Sequence, residues 1–371
     1  MEKPIRILQI TGGMDMGGIE NFIMNIYRNI DRNKIQFDFL IHQKEKQVFE
    51  DEILFLGGKI FRISSLGNVG HFKFLKALKE FFLNHKEYKI VHSHYNTISG
   101  VILREANKCG VKIKISHSHT SYPKYRLIER IYKNYSKSLI NKNVDEKYAC
   151  SQKAGEWLYG KKEKFTVINN GIDPKEYKFN EQVRKKIREK LKIKDDEILL
   201  GHVGRFSNEK NHEFLIDIFK ELYSKNKKYR LALVGTGNTE EKIKEKVKNL
   251  ELKENVNFLG VRKDVKDLLQ GFDIFSLPSI FEGLPVTLVE AQGAGLKCFI
   301  ADTITREIDL QCGLIEFISL NKSAKEWAEI IDKNRNYIRK DTLESLKSHG
   351  YDMTENAKNL EDRYIELYNK I

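Results

Sequence analysis

Apolar residues fall into two alternating patterns along this chain. Short runs at residues 5–10, 37–41, 59–63, 89–92, 112–116, 147–150 and 165–168 read as buried strands. Between them, apolar positions recur every three or four residues, as at Ile19, Phe22, Ile23 and Ile26, and this period predicts helices over 17–30, 48–56, 72–83, 99–108, 123–142 and 152–159. Such alternation forces a parallel sheet with helices on both faces, because parallel strands need crossover connections. The pattern breaks at N-N-G-I-D-P, residues 169–174, a cluster of turn formers followed by a charged stretch at 175–194. It then restarts, with strands at 198–203, 230–234, 256–259, around Ile274, 298–300 and 314–318. The helices of this half fall at 211–223, 239–250, 265–269, after Pro285 and at 324–331. The expected organisation is two doubly wound, Rossmann-like α/β domains, residues 1–172 and 173–352. A final amphipathic helix within 353–371 is left to pack back on the first domain. Strand-end crevices facing a central cleft would hold a ligand that domain closure sequesters.

Composition narrows the classes. Of 371 residues, 40% are hydrophobic and 32% charged, which suits a globular protein with ample core. No run approaches the roughly 20 apolar residues of a membrane span, and the N-terminus enters a strand directly, so a cytoplasmic location is expected. Cys109, Cys150, Cys298 and Cys312 have no metal-ligand spacing and are expected as reduced thiols. The net charge of +13 calls for an anionic partner. Lysine enrichment runs the whole length of the chain and no nucleic-acid motif is present. The basic, aromatic helix at 123–142 suits either a solvated core helix or a peripheral contact with an anionic membrane at its cytoplasmic face.

Candidate chemistry sits at strand ends. T-G-G-M-D-M-G-G-I-E-N, residues 11–21, offers glycines that let a ligand approach backbone before a helix start, without being a phosphate loop ending in Gly-Lys-Ser/Thr. Two H-x-H pairs, His92/His94 and His117/His119, end neighbouring strands; no cysteine or carboxylate completes a recognisable zinc set, so no metal is expected. H-V-G-R-F-S-N-E-K-N, residues 202–211, places Arg205 and Lys210 after a strand. F-S-L-P-S-I-F-E-G-L-P-V-T-L-V-E, residues 275–290, reads strand, loop, helix start, with Pro285 suited to the first helical turn. Glu282 precedes the helix, and Glu290 lies about 7 Å inside it at 1.5 Å per residue. A helix start above a parallel sheet aims N–H groups at a phosphate, and a carboxylate accepts two hydrogen bonds from a ribose diol. Singly, each of these charges is equally an ordinary surface residue.

The last stretch resembles the glutamate-x7-glutamate signature of retaining glycosyltransferases of the GT-B fold, family 4. Pro278, Ser279, Glu282, Gly283, Pro285, Glu290 and Ala291 match the pattern P-S-x(2)-E-G-x-P-x(4)-E-A. V-G-R-F of 203–206 with Lys210, V-G-T-G-N of 234–238, F-L-G-V-R-K-D-V of 258–265 and N-N-G-I-D of 169–173 resemble further family elements in family order. The resemblance implies transfer of a sugar from a UDP- or GDP-sugar to a hydroxyl acceptor with retention, without metal or cofactor. Its implied catalytic residues are His119 first and His117 second, with Arg205, Lys210 and Glu282. Donor contacts are implied for Gly17, Gly18, Gly204, Arg205, Lys210, Val261, Gly283, Leu284 and Glu290. S-H-S-H-T of 116–120 and A-C-S-Q-K-A-G-E-W-L-Y-G of 149–160 resemble the capsular and exopolysaccharide branch, which implies a lipid-linked glycan acceptor. After Ala291 the sequence departs from the family, lacking the usual proline strand and the G-G-x-x-E-x-V element, and that departure bears on sugar specificity. Alternatives are a nucleotide-sugar epimerase or phosphorylase on the same scaffold, and a non-catalytic basic binding protein.

Overall fold

The computed structural model describes residues 3–15, 17–120 and 127–371. The chain divides into two compact units, residues 1–171 with 353–371, and residues 172–352.

The elements of the first unit run β1 (Ile5–Ile10), α1 (Gly18–Asn29), β2 (Ile35–Ile41), α2 (Glu50–Phe55), β3 (Ile60–Arg62), α3 (Leu66–Val69), α4 (His71–Asn84), β4 (Ile90–Ser93), α5 (Ser99–Lys108), β5 (Ile113–Ser118), α6 (Leu127–Asn143), β6 (Glu146–Ala149), α7 (Gln152–Tyr159) and β7 (Thr166–Val167). The second unit holds α8 (Pro174–Tyr177), α9 (Glu181–Lys190), β8 (Ile198–Val203), α10 (His212–Lys225), β9 (Tyr229–Val234), α11 (Glu240–Asn249), β10 (Val256–Phe258), α12 (Val265–Gly271), β11 (Ile274–Leu277), α13 (Val286–Gly293), β12 (Lys297–Ala301), β13 (Ile315–Ile318), α14 (Ala324–Asn334) and α15 (Leu343–Ser348). The last helix, α16 (Met353–Tyr368), belongs to the first unit.

Each sheet is parallel throughout. The first has the order β3-β2-β1-β4-β5-β6-β7 and the second β10-β9-β8-β11-β12-β13. The order reverses between β1 and β4 in one unit and between β8 and β11 in the other, and such switch points open the crevice where ligands bind. Burial on both faces explains the nearly continuous apolar strands: Ile7, Leu8 and Ile10 of β1 and Ile274, Phe275 and Leu277 of β11 are wholly inaccessible. In the first unit, Met353, Ala357, Leu360, Tyr364 and Leu367 of α16 join the core that lies under α1, β1 and β2.

Local deviations from the expected elements have physical causes. The charged stretch 175–194 splits in two, because Asp173 caps α8 and Asn180 caps α9 through backbone N–H groups of the first turn. Pro285 is the N-cap of α13 rather than its first helical residue, with extended backbone at φ −74° and ψ 105°. Residues 123–126 of the expected basic helix lie outside the described residues, and the helix is described from Leu127. The short helices α3 and α15 have too few turns to show a period. All four cysteines are free thiols, Cys150 and Cys298 buried and the others half-buried.

Candidate functional site

In the second unit, the loops that follow β8, β9, β11 and β12 are tied to one another at the switch point. Gly204 N donates to Val234 O at 2.9 Å and Phe206 N to Thr236 O at 3.1 Å. Gly235, at φ +130°, leaves no room for a side chain, since a Cβ there would lie 2.1 Å from Gly204 O. Ile280 N donates to Glu209 O at 2.8 Å, Asn211 Nδ2 to Pro278 O at 3.1 Å and Thr303 Oγ1 to Ser279 O at 2.8 Å. These ties bring Lys210 Nζ to 2.6 Å from Glu282 Oε1, with side-chain exposures of 19% and 10%. The stem of Lys210 runs over Gly204, 3.3 Å from where a Cβ would be. Arg205 is exposed in the same loop.

Glu290, at the fifth position of α13, is half-buried, and Tyr177 of α8 donates to its Oε1 at 2.8 Å. Burial pushes the Glu290 carboxyl up and the Tyr177 bond draws it back. Its Oε2 has no hydrogen bond among the described residues, so one oxygen stays open to a ligand. Gly283 is exposed with nothing within 4 Å of an added Cβ, while Leu284 packs against the core. Val261, after β10, is 65% exposed, next to Gly260 at φ +64°. Two buried hydroxyls here, Ser279 Oγ and Thr287 Oγ1, have no hydrogen-bond partner among the described residues. Unmatched polar groups at a helix start are costly unless a ligand or water completes them. Arg205, Lys210, Glu282, Gly204 and Gly283 thus lie on loops at one end of the sheet, with Glu290 inside the following helix.

In the first unit, the loop after β1 leads to Gly17, the N-cap of α1, and Gly18 opens the helix with nothing within 4 Å of an added Cβ. The loop is held from below, His42 N donating to Gly12 O at 3.1 Å and Phe49 N to Met14 O at 3.0 Å. Beside it, His92 and His94 at the end of β4 stack with His117 and His119 at the end of β5. Ring centroids are 4.2 Å apart for His92–His94 and for His117–His119. Phe22 of α1 sets its ring edgewise to His117 at 5.0 Å and His119 at 5.5 Å. His92, His94 and His117 are buried, and His119, one residue past β5, is half-buried. Desolvation holds all four neutral, His119 down to about 3 and the others well below the ordinary histidine value.

Ligand-capable nitrogens of His92, His94 and His117 fall within 4.8 Å of one another. The rings are inclined to one another by 27°, 10° and 32°. Both nitrogens of His94 are moreover engaged, Nε2 with Gln9 Oε1 and Nδ1 with His119 Nε2, each at 2.8 Å.

Tyr177, Thr287 and Gln9 escaped the sequence reading, and Tyr364 enters it only as part of the apolar face of the last helix. Tyr177 meets Glu290 across 113 residues and Tyr364 meets His92 across 272, and no spacing signals contacts of that range.

Two family models match the chain: "Glycosyltransferase Family 4" over residues 16–176 and "Glycosyl transferases group 1" over 183–333. The putative glycosyltransferase EpsF of Bacillus subtilis is 34% identical, covering 98% of this chain and 96% of its own. An Escherichia coli enzyme named UDP-Gal:alpha-D-GlcNAc-diphosphoundecaprenol alpha-1,3-galactosyltransferase is 25% identical over 90% of both chains. Among solved structures, HepE of Anabaena in complex with UDP superposes with a TM-score of 0.71 at 18% identity over 98% of each chain, a likeness of fold.

Proposed function

This chain belongs to the family-4 glycosyltransferases, and from that premise we propose that it moves a sugar, with retention, from a nucleotide diphosphate sugar to a hydroxyl of a lipid-linked glycan in exopolysaccharide or capsule synthesis. The observation that carries the reading is the Lys210–Glu282 pair, 2.6 Å apart beside the start of α13 at the switch point of the second sheet. An ammonium beside a helix N-terminus suits a diphosphate leaving group, and Arg205 on the same loop adds a second cation. Glu282 would meet hydroxyls of the donor sugar and the open Oε2 of Glu290 the ribose diol. The bond between the anomeric carbon and the diphosphate oxygen breaks, the acceptor oxygen bonds to that carbon from the same face, and the acceptor proton passes to the departing phosphate oxygen. Such a step balances without a protein nucleophile, and cations take the place that magnesium has in other enzymes. In this reading His119 would be a hydrogen-bond partner of the substrates and the buried His117, stacked on it, its support.

UDP is favoured as the nucleotide because the Escherichia coli relative is named for UDP-galactose, and its diphosphoundecaprenol acceptor supports a lipid-linked one here. No helix among the described residues is long and apolar enough to cross a membrane.

The test is release of nucleotide from UDP- and GDP-sugars, alone and with lipid-linked acceptors. Lys210→Ala and Glu282→Ala are expected to lose about 10²–10³-fold in turnover while folding normally, the scale of removing one preorganised charge contact. Turnover at the parent rate in both variants would remove these residues from the chemistry.

A further inference from the structure

The four stacked histidines carry a hydrogen-bond chain with a direction. Its start is Gln9, buried on β1, whose Oε1 lies 2.8 Å from His94 Nε2 and whose Nε2 lies 3.4 Å from Tyr364 Oη. An amide oxygen only accepts, so His94 carries its proton on Nε2. A neutral imidazole has one proton, and desolvation keeps His94 neutral, so its Nδ1 is a bare acceptor. The nitrogen facing it at 2.8 Å, His119 Nε2, must therefore be the donor. His119, also neutral, is left with an unprotonated Nδ1, and that atom is buried with no partner among the described residues. Two further contacts fix the chain. His119 N donates to Asn96 Oδ1 at 2.9 Å, and Tyr364 Oη lies 2.6 Å from His92 Nδ1. The shorter of the tyrosine's contacts suits its one hydroxyl proton, and the 3.4 Å contact to Gln9 suits an amide N–H better than an O–H.

We propose that Gln9 and His94 are positioning residues: the chain Gln9 Oε1···His94···His119 fixes His119 as the tautomer protonated on Nε2, so that its Nδ1 accepts a hydrogen bond from a hydroxyl of the bound sugar or acceptor. A bare buried lone pair is a deficit that a substrate hydroxyl relieves, and His119 is the one residue of the four that is half-buried rather than buried. Turning the Gln9 amide over would reverse every donor in the chain and present an N–H from His119 instead. The α16 helix that brings Tyr364 to Gln9 is thus the element that sets the direction. The proposal rests on the glycosyltransferase reading for its substrate and on the first unit alone for its geometry.

The experiment has two arms on the full-length protein. Ring-nitrogen NMR of 15N-histidine-labelled protein, assigned with His119→Gln and His94→Asn, should show His94 and His119 neutral with the proton on Nε2 between about pH 6 and 8. A His119 protonated on Nδ1, or charged in that range, overturns the proposal whatever the activity. In the kinetic arm, nucleotide release from a UDP-sugar is measured for His94→Leu and His94→Asn. His94→Leu should lower kcat about tenfold, the equivalent of one lost hydrogen bond, with KM for the donor within about twofold. His94→Asn, whose amide oxygen stands in for Nδ1, should restore part of that loss and return His119 to the Nε2–H form. Undiminished kcat in folded His94→Leu overturns the proposal. A parent protein with the stated tautomers but no turnover of any nucleotide sugar speaks against the enzymatic reading and leaves the tautomer assignment standing.

Discussion

At the scale of single residues, the site in the second unit is governed by how carboxylates are partnered. Glu282 has a cation at 2.6 Å, whereas Glu290 has, among the described residues, only the Tyr177 hydroxyl and a dry surrounding that pushes its carboxyl above the ordinary value. A diol binds the ionised form, so donor affinity should strengthen as pH rises through the Glu290 value. Tyr177→Phe removes the one contact that lowers this value, so the rise moves to higher pH. Calorimetric titration with UDP from about pH 5 to 8 checks this, with a weakening of about tenfold expected at the acid end for one lost hydrogen bond. An unchanged pH profile in Tyr177→Phe would show that the tyrosine does not tune the carboxylate. Lys210 and Glu282 could be named from the sequence because each follows a strand in a family motif. That they touch each other could not, since 72 residues separate them.

At the scale of elements, the ends of β8 and β9 are brought together by close backbone contact. Gly235 sits at φ +130° with Gly204 O in the place of its missing Cβ. Gly235→Ala should cost about 1–3 kcal/mol from strain and displacement, seen as a lower urea midpoint. It should also weaken nucleotide binding, because the Gly204 turn carries the stem of Lys210. The amphipathic period of residues 354–368 predicted the last helix, and its apolar face is the one buried: Ala357, Leu360, Tyr364 and Leu367. Leu360 and Leu367 contribute about 1.5–3 kcal/mol each on burial and the Ala357 methyl about 0.8 kcal/mol, a sum comparable with the lower end of a domain's whole stability of about 5–15 kcal/mol. A chain ending at Asp352 should therefore lose its cooperative unfolding transition in the first unit. A truncated protein that melts like the full chain, by circular dichroism, would contradict that estimate.

At the scale of the whole molecule, two compact units and a net charge of +13 set behaviour that no single site explains. Phe72 of the first unit is 85% exposed on α4, whose sequence places Lys73 and Lys76 beside it, and an exposed aromatic beside cations suits a charged headgroup layer. Sedimentation with vesicles should show binding to anionic but not zwitterionic lipid. Raising salt from about 0.05 to 0.5 M, which shortens the screening length from above 10 Å to below 5 Å, should abolish it. Binding that survives high salt would point to apolar insertion instead.

The sequence by itself determined the two parallel sheets, the break near residue 172, the last helix and the motifs at the strand ends, because burial on one or both faces imposes a period that any local window displays. Tertiary structure alone decided the partners. Only the folded chain sets Gln9 against His94 across 85 residues, Tyr364 against His92 across 272 and Tyr177 against Glu290 across 113. It also decided which of His117 and His119 lies inside, since both point to one face of a strand and only the end of β5 separates them. Periodicity encodes which face is dry; the choice of partner on that face depends on sheet order and helix docking, which no local stretch contains.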